Sequence, residues 1–342
     1  MSLDEFSDDP FDPEAVGAGL WFPGPYGEND QRGSYNEVTP VSTAAALALL
    51  DTSAPVVTYD LSETLFKGFP AIPGRLYEQT LCITGWPSPD GFEGVNARTE
   101  PIGPWGICSL EERIATTYNM GTKINGLHHV GVNGVFYNGY RIDDIARTWG
   151  TTRLGNESQG PIVTRGVLVD VLGYKLAAHP ADCQELDNGE AMLADGYRIT
   201  VEDIEATLKW EQVTTPVGPG DVVLFRTGWR QLISLDPERY LSGKRPGPHL
   251  RECRYLAARR PAIIGMDSWK FGTWRETPLE DMLPHQELPM KYGIRVGEAV
   301  STDVLADDGV YEFVFCFSPQ NARGAISGSC PPIALGQPRK RG

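Results

Sequence analysis

Basic residues are in short supply: 30 Lys and Arg face 45 Asp and Glu, a formal net charge of −15 over 342 residues. Such a surface repels phosphate backbones and anionic lipid, so nucleic-acid and membrane partners are not expected. Apolar residues never run uninterrupted for the ~20 positions a membrane span needs. Cysteine is sparse and scattered: Cys82, Cys108, Cys183, Cys253, Cys316 and Cys330 form no Cys-x-x-Cys pair and no Cys/His cluster at zinc-finger spacing. They read as thiols in a reducing compartment. The first residues, Met1 to Pro10, are acidic where a secretory signal would be basic, so a cytoplasmic location is expected. No internal repeat and no Gly/Ser linker divides the chain.

What is present reads as one α/β domain, residues 38–336, behind an extended arm, residues 1–37, rich in Gly, Pro, Asp and Glu. The arm is a candidate to pack on a neighbouring subunit. Residues 337–342 form a basic tail too short to argue for nucleic-acid binding. Thr39-Pro40 pairs a capping hydroxyl with proline at the first helical position, and the Ala/Leu run to Leu50 follows as a helix. Thr200-x-x-Asp203 opens another helix as a capping-box variant, with Val201, Ile204 and Leu208 on its apolar side. Leu250 to Arg259 is a further helix. Strands are expected at Val56–Leu61, Gly166–Val171, Val222–Arg226, Ala262–Asp267 and Val310–Phe315. The second of these is apolar except for Asp170, the run a strand buried on both faces needs. Residues 68–108, crowded with Gly and Pro, read as a long ordered loop followed by irregular strands. Residues 130–139 read as a Gly-punctuated hairpin.

Residues 119–129, Asn-Met-Gly-Thr-Lys-Ile-Asn-Gly-Leu-His-His, resemble the His-x-Gly-Thr-His-x-Asp-x-x-x-His element of the cyclase family that includes bacterial kynurenine formamidase and isatin hydrolase. Further resemblances follow in order: Tyr59-Asp-Leu-Ser62, Arg165-Gly-Val-Leu-Val-Asp170, Pro219 to Trp229, Gly265-Met-Asp-Ser-Trp269, His285 leading to Gly293 through Glu298, and Gly328-Ser-Cys-Pro-Pro-Ile-Ala334. Together they cover about residues 40–335. The resemblance implies an α/β, swivelling β/β/α fold, assembled as a homodimer or homotetramer. It also implies a site at which a divalent ion, zinc or manganese, activates water while the last His moves protons.

Carried over residue by residue, the ligand positions here are Asn119, Lys123 and Asn125. His129 is the proton carrier, and His285 and Glu298 retain their family identities. A protonated lysine has three donors and no lone pair, so it cannot ligate a cation. Zinc would be left with fewer than its usual three ligands, so no metal cofactor is expected. If one is bound, its ligands would be His285, Glu298, Asn125 and His129. The leading expectation is that the Lys123 ammonium replaces the ion as electrostatic centre, with His129 as general acid or base. Asn119, Asn125, His128, His285 and Glu298 would then bind substrate. A depressed Lys123 pKa would instead allow imine formation. His179 and His249 receive no role. Asp267 and Trp269 either line the pocket or cap a turn, and Trp21, Phe22, Tyr26 and Trp105 are candidates to cover it.

The leading expectation is an enzyme hydrolysing a cyclic amide, lactone or N-acyl aromatic. The alternatives are a metal-independent isomerase, dehydratase or cyclase using the Lys/His pair, and a ligand-binding homologue without catalysis.

Overall fold

The computed structural model describes residues 6–242, 244–273, 277 and 279–339. Its centre is the apolar stretch that begins before Gly166. The strands used below are β1 (Val57–Asp60), β2 (Tyr77–Thr84), β3 (Val95–Arg98), β4 (Ser109–Thr116), β5 (Lys123–Asn125) and β6 (Ile162–Val169). They continue as β7 (Val222–Phe225), β8 (Ile263–Met266), β9 (Arg295–Glu298), β10 (Glu312–Phe317), β11 (Ser327–Gly328) and β12 (Ile333–Gly336). Nine of these form one mixed sheet in the order β1-β12-β10-β6-β7-β8-β9-β5-β11. The four central strands, β6 to β9, are parallel, and every other pairing in the sheet is antiparallel.

Parallel neighbours need helical crossovers, which here cover one face of the central strands. The crossovers carry α2 (Val171–Ala178), α3 (Val201–Trp210), α4 (Leu250–Ala257) and α5 (Met282–Tyr292). Alternation along each strand splits the core in two. Val167, Val169, Val223, Phe225, Ile264 and Met266 pack with side chains of the four helices. Leu168, Val222, Leu224 and Ile263 belong to the opposite cluster with Ile124, Phe313 and Phe315. Helix α1 (Pro40–Leu47), ahead of the large sheet in sequence, starts in a capping box between Thr39 and Ser42, and α3 starts in the one between Thr200 and Asp203.

The Gly/Pro-rich stretch read as loop and irregular strands holds a separate three-stranded sheet, β3-β2-β4, whose β4 is exposed at every position. Residues 6–37 lie on their own chain: Ser34 Oγ donates to the Ala262 and Gly293 carbonyls, and Val16 and Trp21 pack with Val132, Val135 and Met290. Of the basic tail, residues 340–342 lie outside the described residues, and Arg339 donates to the Glu211 carbonyl. Among the described residues no helix is long and apolar enough to cross a membrane.

Glu211, just past α3, is buried; its Oε1 accepts the Asp170 backbone N–H at 2.6 Å while Oε2 has no partner among the described residues. Burial, largest among the causes, holds its carboxyl well above the ordinary 4.5. A folded pKa above the unfolded one means that stability is complete below about pH 4.5 and falls as pH rises. Glu211→Gln should therefore raise the melting temperature by roughly 2–4 °C at pH 8 and change it little at pH 4. Equal shifts at both pH values would contradict this.

Candidate active site

The site lies where the parallel strands β8 and β9 end, the side of an open α/β sheet on which pockets form. Its frame is the three-residue strand β5, held between β9 and β11. Register sets Lys123 directly opposite Glu298 and Asn125 directly opposite Ser327. Successive side chains alternate between faces, so Lys123 and Asn125 share one face while Ile124 enters the core on the other. The preceding residues fix where this strand begins. Gly121 has φ +55°, and a Cβ there would stand 2.7 Å from Leu65 Cδ2. Thr122 Oγ1 donates to the Ala299 carbonyl and accepts the Glu63 N–H at 2.8 Å, tying β5 to the end of β9 and to the loop after β1.

Cross-strand opposition becomes direct contact. Lys123 Nζ stands 2.5 Å from Glu298 Oε2 and donates to the Trp269 carbonyl at 3.2 Å. Glu298 also accepts from Asn125 Nδ2 (2.9 Å) and from the Phe271 backbone N–H (2.8 Å). Both side chains of the ion pair are 2 % exposed. Asn125 Nδ2 stands 3.0 Å from His285 Nε2, which makes that nitrogen the acceptor and leaves the proton on Nδ1. Ser327 Oγ bridges the amide oxygens of Asn119 (2.9 Å) and Asn125 (3.3 Å). The His129 ring is 5.6 Å from that of His285.

Next to these groups is a cavity of about 290 Å³, whose wall includes Arg75, His129, Trp269, Lys270, His285 and Glu298, while Asn119 and Lys123 line a narrower cleft beside it with Arg75 and Trp269. Burial pushes the Lys123 amine down from its ordinary value, against the pull of Glu298. Burial alone would raise Glu298. The charge of the Lys123 ammonium, then His285 and the lysine's own hydrogen bond, hold it instead well below the carboxylate range. His129 is half-buried by exposure yet enclosed by protein atoms. That enclosure, and then His285, push its imidazole down to about 3, so it is neutral at ordinary pH.

Of the residues singled out from sequence, Asn119, Lys123, Asn125, His129, His285 and Glu298 converge here. His128 does not: its Nε2 stands 2.9 Å from Thr151 Oγ1, and it is absent from the cavity wall. Neighbouring residues in an irregular segment point apart, so His128 faces Thr151 while His129 faces the cavity. Asp267 caps a turn, accepting from the Thr227 and Gly228 N–H groups and from Thr227 Oγ1, and burial lifts its carboxyl to about 6. Trp269 does line the cavity. The proposed covering aromatics lie elsewhere. Trp21 and Phe22 join the Val132 cluster, Tyr26 donates to Glu37, and Trp105 is 85 % exposed on the small-sheet side of the chain. Sequence reading missed Ser327, Arg75 and Lys270. Ser327 directly precedes the Gly328 segment but carries no signal of its own.

The donor set does not fit a divalent ion. Glu298 Oε2 is engaged by an ammonium and an amide, His285 Nε2 by an amide, and Lys123 places a cation among them. Among the described residues no three His, Cys, Asp or Glu side chains are grouped to hold a metal.

Fold and site together define an α/β protein with a polar pocket at the carboxyl ends of its parallel strands. The family model described as "Putative cyclase" matches residues 59–273, more than half of the chain, and the chain belongs to the cyclase family. A solved structure described as a novel cyclase has 25% identity and a TM-score of 0.75, covering 95% of this chain and 99% of that one. Isatin hydrolase A from Ralstonia solanacearum is similar in fold at 17% identity and a TM-score of 0.56, covering 87% and 98%. An isatin hydrolase bound to the product analogue thioisatinate is similar at 16% identity and a TM-score of 0.57, covering 88% and 100%. No curated protein matches the chain.

Proposed function

We propose that this cyclase-family chain is an enzyme that hydrolyses a small carbonyl compound: a cyclic amide, a lactone or an N-acyl aromatic. The observation that carries the reading is the Lys123 ammonium, fixed 2.5 Å from Glu298 directly behind a cavity walled by His129. Two proteins of similar fold are named isatin hydrolases, which supports hydrolysis as the reaction type.

In the proposed step, neutral His129 removes a proton from water as the water oxygen bonds to the carbonyl carbon. The carbonyl π electrons move to oxygen, and the Lys123 charge stabilises the resulting oxyanion across a poorly screened interior. Collapse re-forms the carbonyl and breaks the C–N or C–O bond, and the His129 imidazolium returns its proton to the leaving group. Glu298 keeps the lysine protonated and pointed. Asn125 and Ser327 hold that arrangement from the side.

The test is turnover of N-formylanilide, lactone and cyclic-amide panels by the intact chain and by His129→Gln. The reading expects one panel to be hydrolysed and the variant to be about 10²–10⁴-fold slower, with an unchanged circular dichroism spectrum. Equal rates would remove His129 from the mechanism. Ligand binding without turnover of any panel would favour a non-catalytic binding protein instead.

A further inference from the structure

Resting on that reading, we propose that the pocket selects a substrate bearing a carboxylate, and that Arg75 is the residue that selects it. Arg75 precedes β2 and forms part of the cavity wall, half-buried. Its Nη1 donates to the Asn119 carbonyl at 2.7 Å, and among the described residues no carboxylate lies within ion-pair distance of it. The other cations around the cavity are matched: Lys123 by Glu298 at 2.5 Å and Lys270 by Asp281 at 2.7 Å. Arg75 is thus a cation left over in a chain whose net charge is −15.

A half-buried guanidinium with no carboxylate in contact, Glu298 acting on it only from longer range, loses hydration and gains little in return. A bound carboxylate supplies what is missing, because the planar fork of the guanidinium matches two carboxylate oxygens. Ile72, Val130 and Met282 supply an apolar wall. The fitting molecule has a compact apolar body, one carboxylate for Arg75 and a carbonyl within reach of His129. Acylated aminobenzoates and cyclic amides bearing an acid group have this form. Arg75 binds and does not react. The competing account is that it only braces the Asn119 loop through its one hydrogen bond.

Benzoate and benzamide, nearly equal in shape but different in charge, separate these accounts when titrated calorimetrically into the full chain. Benzoate should bind about tenfold tighter or more, the usual worth of a charge-assisted hydrogen-bonded pair. Arg75→Met should erase that preference and leave benzamide binding unchanged. Arg75→Gln, which keeps a donor for the Asn119 carbonyl, should also lose it and serves if the methionine variant fails to fold. His129→Gln should retain the preference, since charge selection needs no chemistry. Equal affinities for the two probes, undetectable benzoate binding, or a preference surviving in both Arg75 variants would overturn the assignment. Turnover of neutral panel members alongside equal affinities would overturn charge selection while hydrolysis stood.

Discussion

Lys123→Met is expected to lose turnover by at least about 10²-fold and to cost about 3–5 kcal/mol of stability, because it leaves the Glu298 carboxylate buried and unpaired. Lys123 and Glu298 are opposed in register and almost fully excluded from water. The Asn125 amide and the Phe271 N–H that remain are too weak to offset an ammonium. The loss has a predictable pH dependence. In the parent chain the Glu298 pKa is depressed, so its contribution is present above the ordinary 4.5 and is lost as pH falls. In the variant the same carboxyl is buried without its cation and its pKa rises, so its penalty grows as pH climbs. The gap in melting temperature should widen from pH 4 to pH 7. Lys123→Met combined with Glu298→Gln should recover most of the stability and none of the turnover. A double variant as unstable as the single one would show that the pair's charges are not what the core depends on.

The second large effect concerns metal. Asn119→His, Lys123→His and Asn125→Asp, made together, should turn a chain with no zinc response into one that binds zinc near stoichiometrically. Ser327 already bridges the side chains at 119 and 125, and Asn125 touches both His285 and Glu298, so the three positions share one centre. The change removes the ammonium and adds two imidazoles and a carboxylate beside an existing His and Glu. Zinc at a hundred times its dissociation constant should add about 2.7 kcal/mol of stability by mass action. The parent chain, titrated identically, should show no shift. Zinc stabilising both equally would mean that Lys123 does not exclude the ion.

Local rules made much of this molecule legible. The strands around Val167, Val223 and Ile264 announced themselves as short apolar runs, and the capping boxes of α1 and α3 lie where a hydroxyl and an acceptor stand three residues apart. Helix α5 stayed hidden because Pro284 and Pro289 break the pattern that identifies a helix. Pro284 falls in the first turn, where no N–H is missed, and Pro289 falls near the C-terminal end. The small sheet was obscured by the glycines and prolines that link its strands. At the site, the spacing of residues 119–129 marked Lys123, Asn125 and His129, but which residues face them is a matter of long-range register. Ser327 enters only because β11 pairs with β5, two hundred residues away in sequence. Arg75 enters through an irregular loop with no period to read. His128 and His129 are adjacent in sequence, and only the fold shows that one turns to Thr151 and the other to the cavity.

The central claim is that an amine of the chain itself occupies the heart of this pocket. A crystal structure of protein grown with zinc and manganese, with anomalous data collected at both absorption edges, tests it most directly. The account predicts Lys123 Nζ within hydrogen-bonding distance of Glu298 and no anomalous peak between them. A strong peak ligated by His285 and Glu298, with the Lys123 side chain displaced, would contradict it.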